Sequence, residues 1–327
     1  MNGVSEPKRR QGIFFVTDRD FALPTIASAL EIRKKVPLDR ADVRIVTTDV
    51  PIDTVHRLRD FLDPQGIQTD VLDPLRFSAF DHRSYNQTHV PISALGRFFM
   101  LEAVPDVYDR ILYLDGDTWP CGDPLRLLEA ELRDGCVGAA EDRNYFRRHE
   151  LGPVGRKTRA YFSGLGIDSD KGYFNSGVLL AGTQTWRSLS ADAFDFFSKN
   201  TARCLYHDQS ALNAVAGTRR IRLAPQWNFT SSYLDWRVKS EIPPKILHFA
   251  GGEKPWTVPF HPYYMTYTAA FALLSKLELT TKQYSPEELE AIKRRARLRR
   301  VRDKLFVYRK IIYQKMFDRL VRSSVIS

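Results

Sequence analysis

At 327 residues, with 43% hydrophobic and 27% charged residues and a net charge of +10, the chain has the composition of an ordinary globular protein, long enough for one large α/β core with an appendage. No apolar run approaches the ~18 residues of a membrane span, and the opening MNGVSEPKRRQG lacks the apolar stretch of a secretory signal, so the cytosol is the expected compartment. Cys121, Cys136 and Cys204 have no paired spacing, which disfavours a disulfide framework or a thiolate metal site and predicts buried or inert thiols.

Residues 1–11 are expected to be disordered. The first strand is read at Ile13 to Val16, ending in Thr17 and Asp18, with a helix from Thr25 to Lys35 and a second strand from Val43 to Thr47. This β-α-β opening without GxGxxG predicts a nucleotide-binding α/β sheet that is not an NAD site. Pro51 to Leu62 reads as helix, Ile67 to Leu72 as extended, and Pro91 to Val104 as helix. Further strands are expected at Ile111 to Leu114, Cys136 to Ala140, Tyr173 to Leu180 and Lys245 to Phe249, with helices near Ala191 to Ser198 and Asp208 to Val215. Residues 143–172 are polar and basic with weak periodicity, which suggests a long excursion over a site.

Residues 12–280 form the expected main domain and 281–327 a tail. Ser285, Pro286 and Glu288 supply an N-cap, a first-turn proline and a capping-box acid. Leu298, Val301, Leu305, Tyr308, Ile312, Met316 and Leu320 then recur every three or four residues. From residue 291 onward, 13 Lys and Arg face only Asp303 and Asp318, a net of +11, which leaves the first 290 residues at −1. A basic amphipathic helix of this kind suits an anionic membrane surface better than nucleic acid. Packing on the body or on a second subunit is the other reading.

The chemistry concentrates in ILYLDGDTWP, residues 111–120. An unbroken apolar strand ends there on Asp115 and Asp117, at the sheet edge where open α/β folds bind ligands. Two carboxylates one glycine apart repel unless a cation, a proton or a strong donor separates them. One reading is the nucleophile motif of haloacid-dehalogenase-type phosphatases, but no GDxxxD or DD follows to hold magnesium. The other is a divalent metal, Mn²⁺ or Mg²⁺, bridging the carboxylates to a nucleotide diphosphate. Mn²⁺ also accepts imidazole. Of seven histidines, His248 ends an apolar strand just before Gly251, Gly252 and Lys254, groups suited to diphosphate oxygens, whereas His56, His82, His89, His149, His207 and His261 lie away from such features.

ILYLDGDTW, YFNSGVLL (173–180), DQSALN (208–213) and HFAGGEKPW (248–256) together resemble the family 8 retaining glycosyltransferases, in order and approximate spacing, over roughly residues 12 to 260. The resemblance implies a GT-A type fold, one Rossmann-like nucleotide-binding domain with a mixed central sheet, and transfer of galactose or glucose from a UDP-sugar to a glycan or lipid-linked acceptor such as lipopolysaccharide. It implies Asp115, Asp117 and His248 as metal ligands. Asp18 would pair with the uracil edge, Phe21 would cover the ring, and Arg97, Gly251 and Lys254 would contact the donor, with Thr17 and Gly116 in the same set. Asp142, Asn175, Asp208 and Gln209 would bond the transferred sugar. Asp18 and Asp208 could instead cap helices, and Asn175 could close a strand. Gln209 stands where a nucleophile would be expected, with Asp208 beside it; as an amide is a poor nucleophile, front-face attack is the favoured route to retention, the β-phosphate oxygen taking the acceptor proton.

Overall fold

A computed structural model describes residues 10–77, 92–168, 172–305 and 307–326. His82, His89 and residues 1–9 lie outside them. The chain opens with β1 (Arg10–Thr17), α1 (Ala22–Lys35), β2 (Asp42–Thr47), α2 (Ile52–Leu62) and β3 (Ile67–Val71). β1 already pairs from Arg10, inside the stretch expected to be disordered. Then come β4 (Tyr108–Leu114), β5 (Thr118–Pro120), α3 (Leu125–Leu128), β6 (Val137–Glu141), α4 (Arg143–Arg147), α5 (Pro153–Gly164) and β7 (Phe174–Gly182). They are followed by α6 (Thr183–Asn200), α7 (His207–Ala216), β8 (Arg220–Arg222), β9 (Phe229–Thr230), α8 (Ser231–Trp236), β10 (Ile246–His248) and α9 (Tyr264–Leu273). Two helices end the chain, α10 (Pro286–Leu305) and α11 (Val307–Ser323).

The central sheet has the order β3-β2-β1-β4-β7-β6-β8. β1 to β4 run parallel, and β7 is antiparallel to both β4 and β6. Strand direction therefore brings the carboxyl ends of β1, β4 and β6 and the amino end of β7 to one edge. The reversal of strand order between β1 and β4 marks the switch point at which such sheets bind ligands.

Both faces of the sheet are covered, so its strands need no polar alternation. Ile13, Phe15, Leu112, Leu114, Val178 and Leu180 pack with α1 on one face. Phe14, Ile111, Tyr113, Leu179 and Ala181 pack with α6 and α7 on the other. A small second sheet, β5-β10-β9, holds the segment after β4 against the strand carrying His248. The mixed α/β fold expected from the sequence is the fold observed.

Three expectations are corrected. The described part of the segment read as helix from Pro91 to Val104 is not α-helical: Ile92–Phe98 and Met100–Glu102 are 3₁₀ turns. Gly96 weakens the helix there, and the tight winding turns Ser93 and Arg97 to the sheet edge while burying Leu95 and Phe98. Residues 143–168 are not a loose excursion, because α4 and α5 sink Phe146 and Phe162 fully into the core. Cys121 is exposed, whereas Cys136 and Cys204 are buried.

The tail starts as its sequence predicts. The Ser285 hydroxyl accepts the Glu288 backbone N–H at 3.2 Å and the Glu288 carboxylate accepts the Ser285 N–H at 2.8 Å, a closed capping box. The buried face of α11 keeps Leu320 of the expected stripe, with Met316 partly buried, but adds Tyr313 and Phe317. Tyr313, Phe317 and Leu320 are buried against Phe146, Phe229 and Tyr233, while Ile312 is exposed. Tyr313 and Arg309 both donate to the Glu150 carboxylate, which ties α11 to the segment after α4.

Candidate active site

Four backbone ends converge at the sheet edge. From β4, Asp115 and Asp117 project on either side of Gly116, where a side chain would collide with Thr25. β10 brings His248 alongside them through the pairing of His248 with Thr118, and the Phe249 N–H donates to the Asp117 carbonyl at 2.9 Å. His248 Nε2 lies 3.2 Å from Asp117 Oδ1 and 3.7 Å from Asp115 Oδ2. One ligand atom from each of the three residues lies within 4.8 Å of the others. Gly177 on β7 makes room for the centre: a Cβ there would stand 2.2 Å from His248 Cε1 and 2.8 Å from Asp115 Oδ2.

Charges around the centre are balanced by named partners. Burial would raise the Asp117 carboxyl, but Lys254 and His248 outweigh it and hold the group well below the usual carboxylate range. Burial would likewise lower His248, yet Asp117 and Asp115 leave it raised. Lys254 donates to Asp117 and to the Phe249 carbonyl and stands 5.4 Å over the Phe21 ring. On the other side, Asp115 Oδ1 accepts from Arg97 Nη2 and from the Tyr113 hydroxyl, both at 2.8 Å. Arg97 also reaches Asp208 Oδ2 at 3.1 Å and the Ser176 carbonyl at 2.9 Å, so a single buried guanidinium connects the β4 aspartate to α7. Even so, burial, reinforced by Asp115, pushes Asp208 up to about 6 against the opposing Arg97 charge.

Behind the carboxylates runs a network of amides. Asn175 donates to Asp142 Oδ2 at 3.3 Å and to Gln209 Oε1 at 3.1 Å, and its own Oδ1 accepts from Gly177 N and from Asn228 Nδ2. Asn228 Oδ1 in turn meets His248 Nδ1 at 2.9 Å. Because the Asn228 Nδ2 is committed to Asn175, its oxygen must accept from the imidazole, which fixes Nδ1–H and turns Nε2 to the aspartates. Gln209 Oε1 additionally accepts the Ser176 N–H at 3.2 Å.

The remaining residues named from the sequence fall into two groups. Asp142, Asn175, Asp208 and Gln209 are buried together at the edge. Asp142 also caps α4 through Asn144 N, whereas Asp208 does not cap α7 but bonds Arg97 and the Ser176 hydroxyl. Asp18 Oδ1 accepts the Phe21 N–H at 2.9 Å, the local turn its sequence allowed, and Oδ2 accepts from Ser93. The Thr17 hydroxyl is engaged with Thr25 and its own strand end. Phe21 meets Trp256 edge-on at 5.4 Å, and Gly251 is exposed with φ at 105°.

Sequence reasoning missed Asn228, Ser93, Tyr113, Ser176 and Gly177. Tyr113, Ser176 and Gly177 lie inside motifs already singled out. Asn228 carries the one independent signal, an amide between Trp227 and Phe229 that burial would oblige to find partners.

Hard oxygen donors with one imidazole suit Mg²⁺ or Mn²⁺. The residues present therefore fit a divalent ion.

Comparison with known proteins agrees with this architecture. The family described as glycosyl transferase family 8 matches residues 12–258. "General stress protein A" of Bacillus subtilis is 25% identical over 224 residues, 60% of this chain and 73% of that protein. The "lipopolysaccharide 1,2-glucosyltransferase" of Escherichia coli is 24% identical over 176 residues, covering about half of each chain (49% and 48%). Among solved structures, galactosyltransferase LgtC in complex with donor and acceptor sugar analogs superposes with a TM-score of 0.67 at 20% identity, over 86% of this chain and 99% of that one.

Proposed function

Since the chain belongs to glycosyl transferase family 8, we propose that it transfers a hexose, galactose or glucose, from a UDP-sugar to a glycan or glycolipid acceptor with retention of configuration. The acceptor class in this reading is lipopolysaccharide or another surface polysaccharide. The observation that carries it is the meeting of Asp115, Asp117 and His248 at the switch point, with Lys254 beside them and the Asn175–Gln209 network behind. The phosphatase alternative is not favoured, because the DGDT carboxylates are met by a histidine and a lysine from the turn after β10.

Asp115, Asp117 and His248 Nε2 would hold Mn²⁺ or Mg²⁺, which when bound neutralises diphosphate charge and the charge that grows on the leaving group. Lys254, held by Asp117 and the Phe249 carbonyl, would add a cation for the same oxygens, and Gly251 would offer bare backbone. Asp18, with Thr17 and Phe21, would read the base. Arg97 holds Asp115 and Asp208 in register. Gln209 would need to break two hydrogen bonds to attack through its oxygen, which supports front-face attack with the β-phosphate oxygen taking the acceptor proton.

No helix among the described residues is long and apolar enough to cross a membrane. Because α11 packs on the body, a contact with the anionic inner face of the cell membrane would fall to the basic run of α10, from Lys293 to Lys304.

Calorimetry of UDP binding with Mn²⁺ and with EDTA, followed by slow hydrolysis of a UDP-sugar panel without acceptor, tests the reading. Binding is expected only with the ion, and one hexose donor should be hydrolysed. Equal UDP affinity in EDTA would overturn the metal bridge; absence of any UDP binding would overturn the transferase assignment of the site.

A further inference from the structure

Two arginines near this site meet acids: Arg97 meets Asp115 and Asp208, and Arg220 meets Glu141. Two arginines on α4 do not. Arg143 and Arg147 are four residues apart, so they share one helix face, and both are half-buried. Neither closes an ion pair or a hydrogen bond among the described residues. Burial lowers Arg147 from its ordinary value and the like charge of Arg143 adds to this, while Tyr206, Tyr313 and Asp142 act the other way.

Asp142 is the acid nearest in sequence and its charge favours the charged form of Arg147, but it closes no ion pair with either arginine; its oxygens accept from Asn144 N and from Asn175. Arg148, the next residue, is buried with Nη1 lacking a partner, its guanidinium 4.4 Å from the Tyr145 ring. Cations crowded at i, i+4 and partly removed from water raise the free energy of the protein unless an anion meets them.

Their location indicates which anion. Arg143 follows directly on Asp142, the cap of α4, whose carboxylate accepts from Asn175, and Arg147 feels the charge of Tyr206, Tyr313 and Asp142; of these, Asp142 and Tyr206 border residues assigned to the transferred sugar. The diphosphate is accounted for elsewhere, at Lys254 and the carboxylate pair. What remains to arrive beside the sugar is the acceptor.

We propose that Arg143 and Arg147 form an acceptor subsite for an anionic substituent, a phosphate or a carboxylate carried by the glycan that receives the sugar. The inference rests on the hexosyltransferase reading. Planar guanidinium forks match such oxyanions in bidentate fashion, and a neutral glycan would leave both charges unmet.

The test uses the full chain loaded with UDP and Mn²⁺, titrated calorimetrically with galactose 6-phosphate, galacturonate and methyl galactoside. The wild type is expected to bind at least one of the anionic sugars about tenfold or more tighter than the neutral one, as charge-assisted pairs require. A preference for the phosphate alone or the uronate alone identifies the substituent. Arg143→Gln with Arg147→Gln should erase the preference while UDP affinity is kept, and the double Lys variant should restore part of it. Equal binding of charged and neutral sugars, no binding of any of them to the UDP-loaded wild type, or a preference that survives the double Gln variant would overturn the subsite. Failure of the wild type to bind UDP at all would instead overturn the underlying reading, and this one with it.

Discussion

The His248 imidazole and the Asn228 amide meet at 2.9 Å through Nδ1 and Oδ1, so the residue that aims the nitrogen facing Asp115 and Asp117 is an asparagine twenty positions upstream in a 3₁₀ turn. Asn228 is itself held by Asn175, which contacts Asp142 and Gln209. One continuous set of amides thus connects the candidate metal ligand to the residues assigned to the sugar. Asn228→Ala is expected to weaken Mn²⁺ binding about 10- to 100-fold, the usual effect of removing the partner that orients a ligating histidine. Mn²⁺ titration by electron paramagnetic resonance checks this. Asn228→Asp, which keeps the acceptor oxygen, should bind far better than Asn228→Ala; equal loss in both would point to a packing defect.

Gly177→Ala places a methyl 2.2 Å from His248 Cε1. Such overpacking costs about 1–3 kcal/mol, and here it also displaces a ligand, so both stability and Mn²⁺ affinity should fall. At Gly252 no atom lies within 4 Å of the added carbon, and Gly252→Ala should leave both unchanged. Urea unfolding of the two variants separates the outcomes.

Asp208 carries a pH signature. Its carboxyl is raised to about 6 by burial, so the folded chain binds that proton more tightly than the unfolded chain does. The resulting stabilisation is fully present below the unfolded value near 4 and is lost as pH rises through about 6. Asp208→Asn removes the titration. Relative to this variant, the wild type should lose stability between pH 4 and pH 7, and urea midpoints that run parallel across that range would refute it.

Phe317 on α11 is 1% exposed and packs 5.2 Å from Tyr233, whereas Ile312 is 40% exposed. Phe317→Ala should cost about 3–5 kcal/mol as a buried aromatic truncation, and Ile312→Ala no more than about 0.5 kcal/mol. Equal costs in chemical denaturation would mean that α11 does not dock on the body.

The site was legible wherever a motif is local. ILYLDGDTW shows a buried strand ending in carboxylates because burial on both faces removes alternation and the strand end is where polarity returns. His248 could be found by looking for an imidazole beside glycines and a lysine. The 3₁₀ winding at Ile92–Phe98 was not legible, since Leu95, Phe98, Phe99 and Glu102 also satisfy α-helical spacing, and the close approach of Gly96 to Val16 and Thr48 is a contact that spacing does not show. Residues 143–168 read as loop because α4 and α5 are short and basic, and Phe146 and Phe162 are too few to set a period.

The sequence by itself determined the α/β class, the carboxylate-tipped strand, the capping box at Ser285 and the four motifs, since each shows in residues close in the chain; the mixed sheet was only what the resemblance implied. Tertiary structure alone decided that Asn228 aims His248, that Arg97 joins Asp115 to Asp208, that α11 buries Tyr313 and Phe317 along with Leu320, and that Arg143 and Arg147 close no ion pair among the described residues. Those are pairings between segments up to 163 residues apart, as in Tyr313 with Glu150. Their partners are chosen by strand order and burial geometry, which local spacing does not encode.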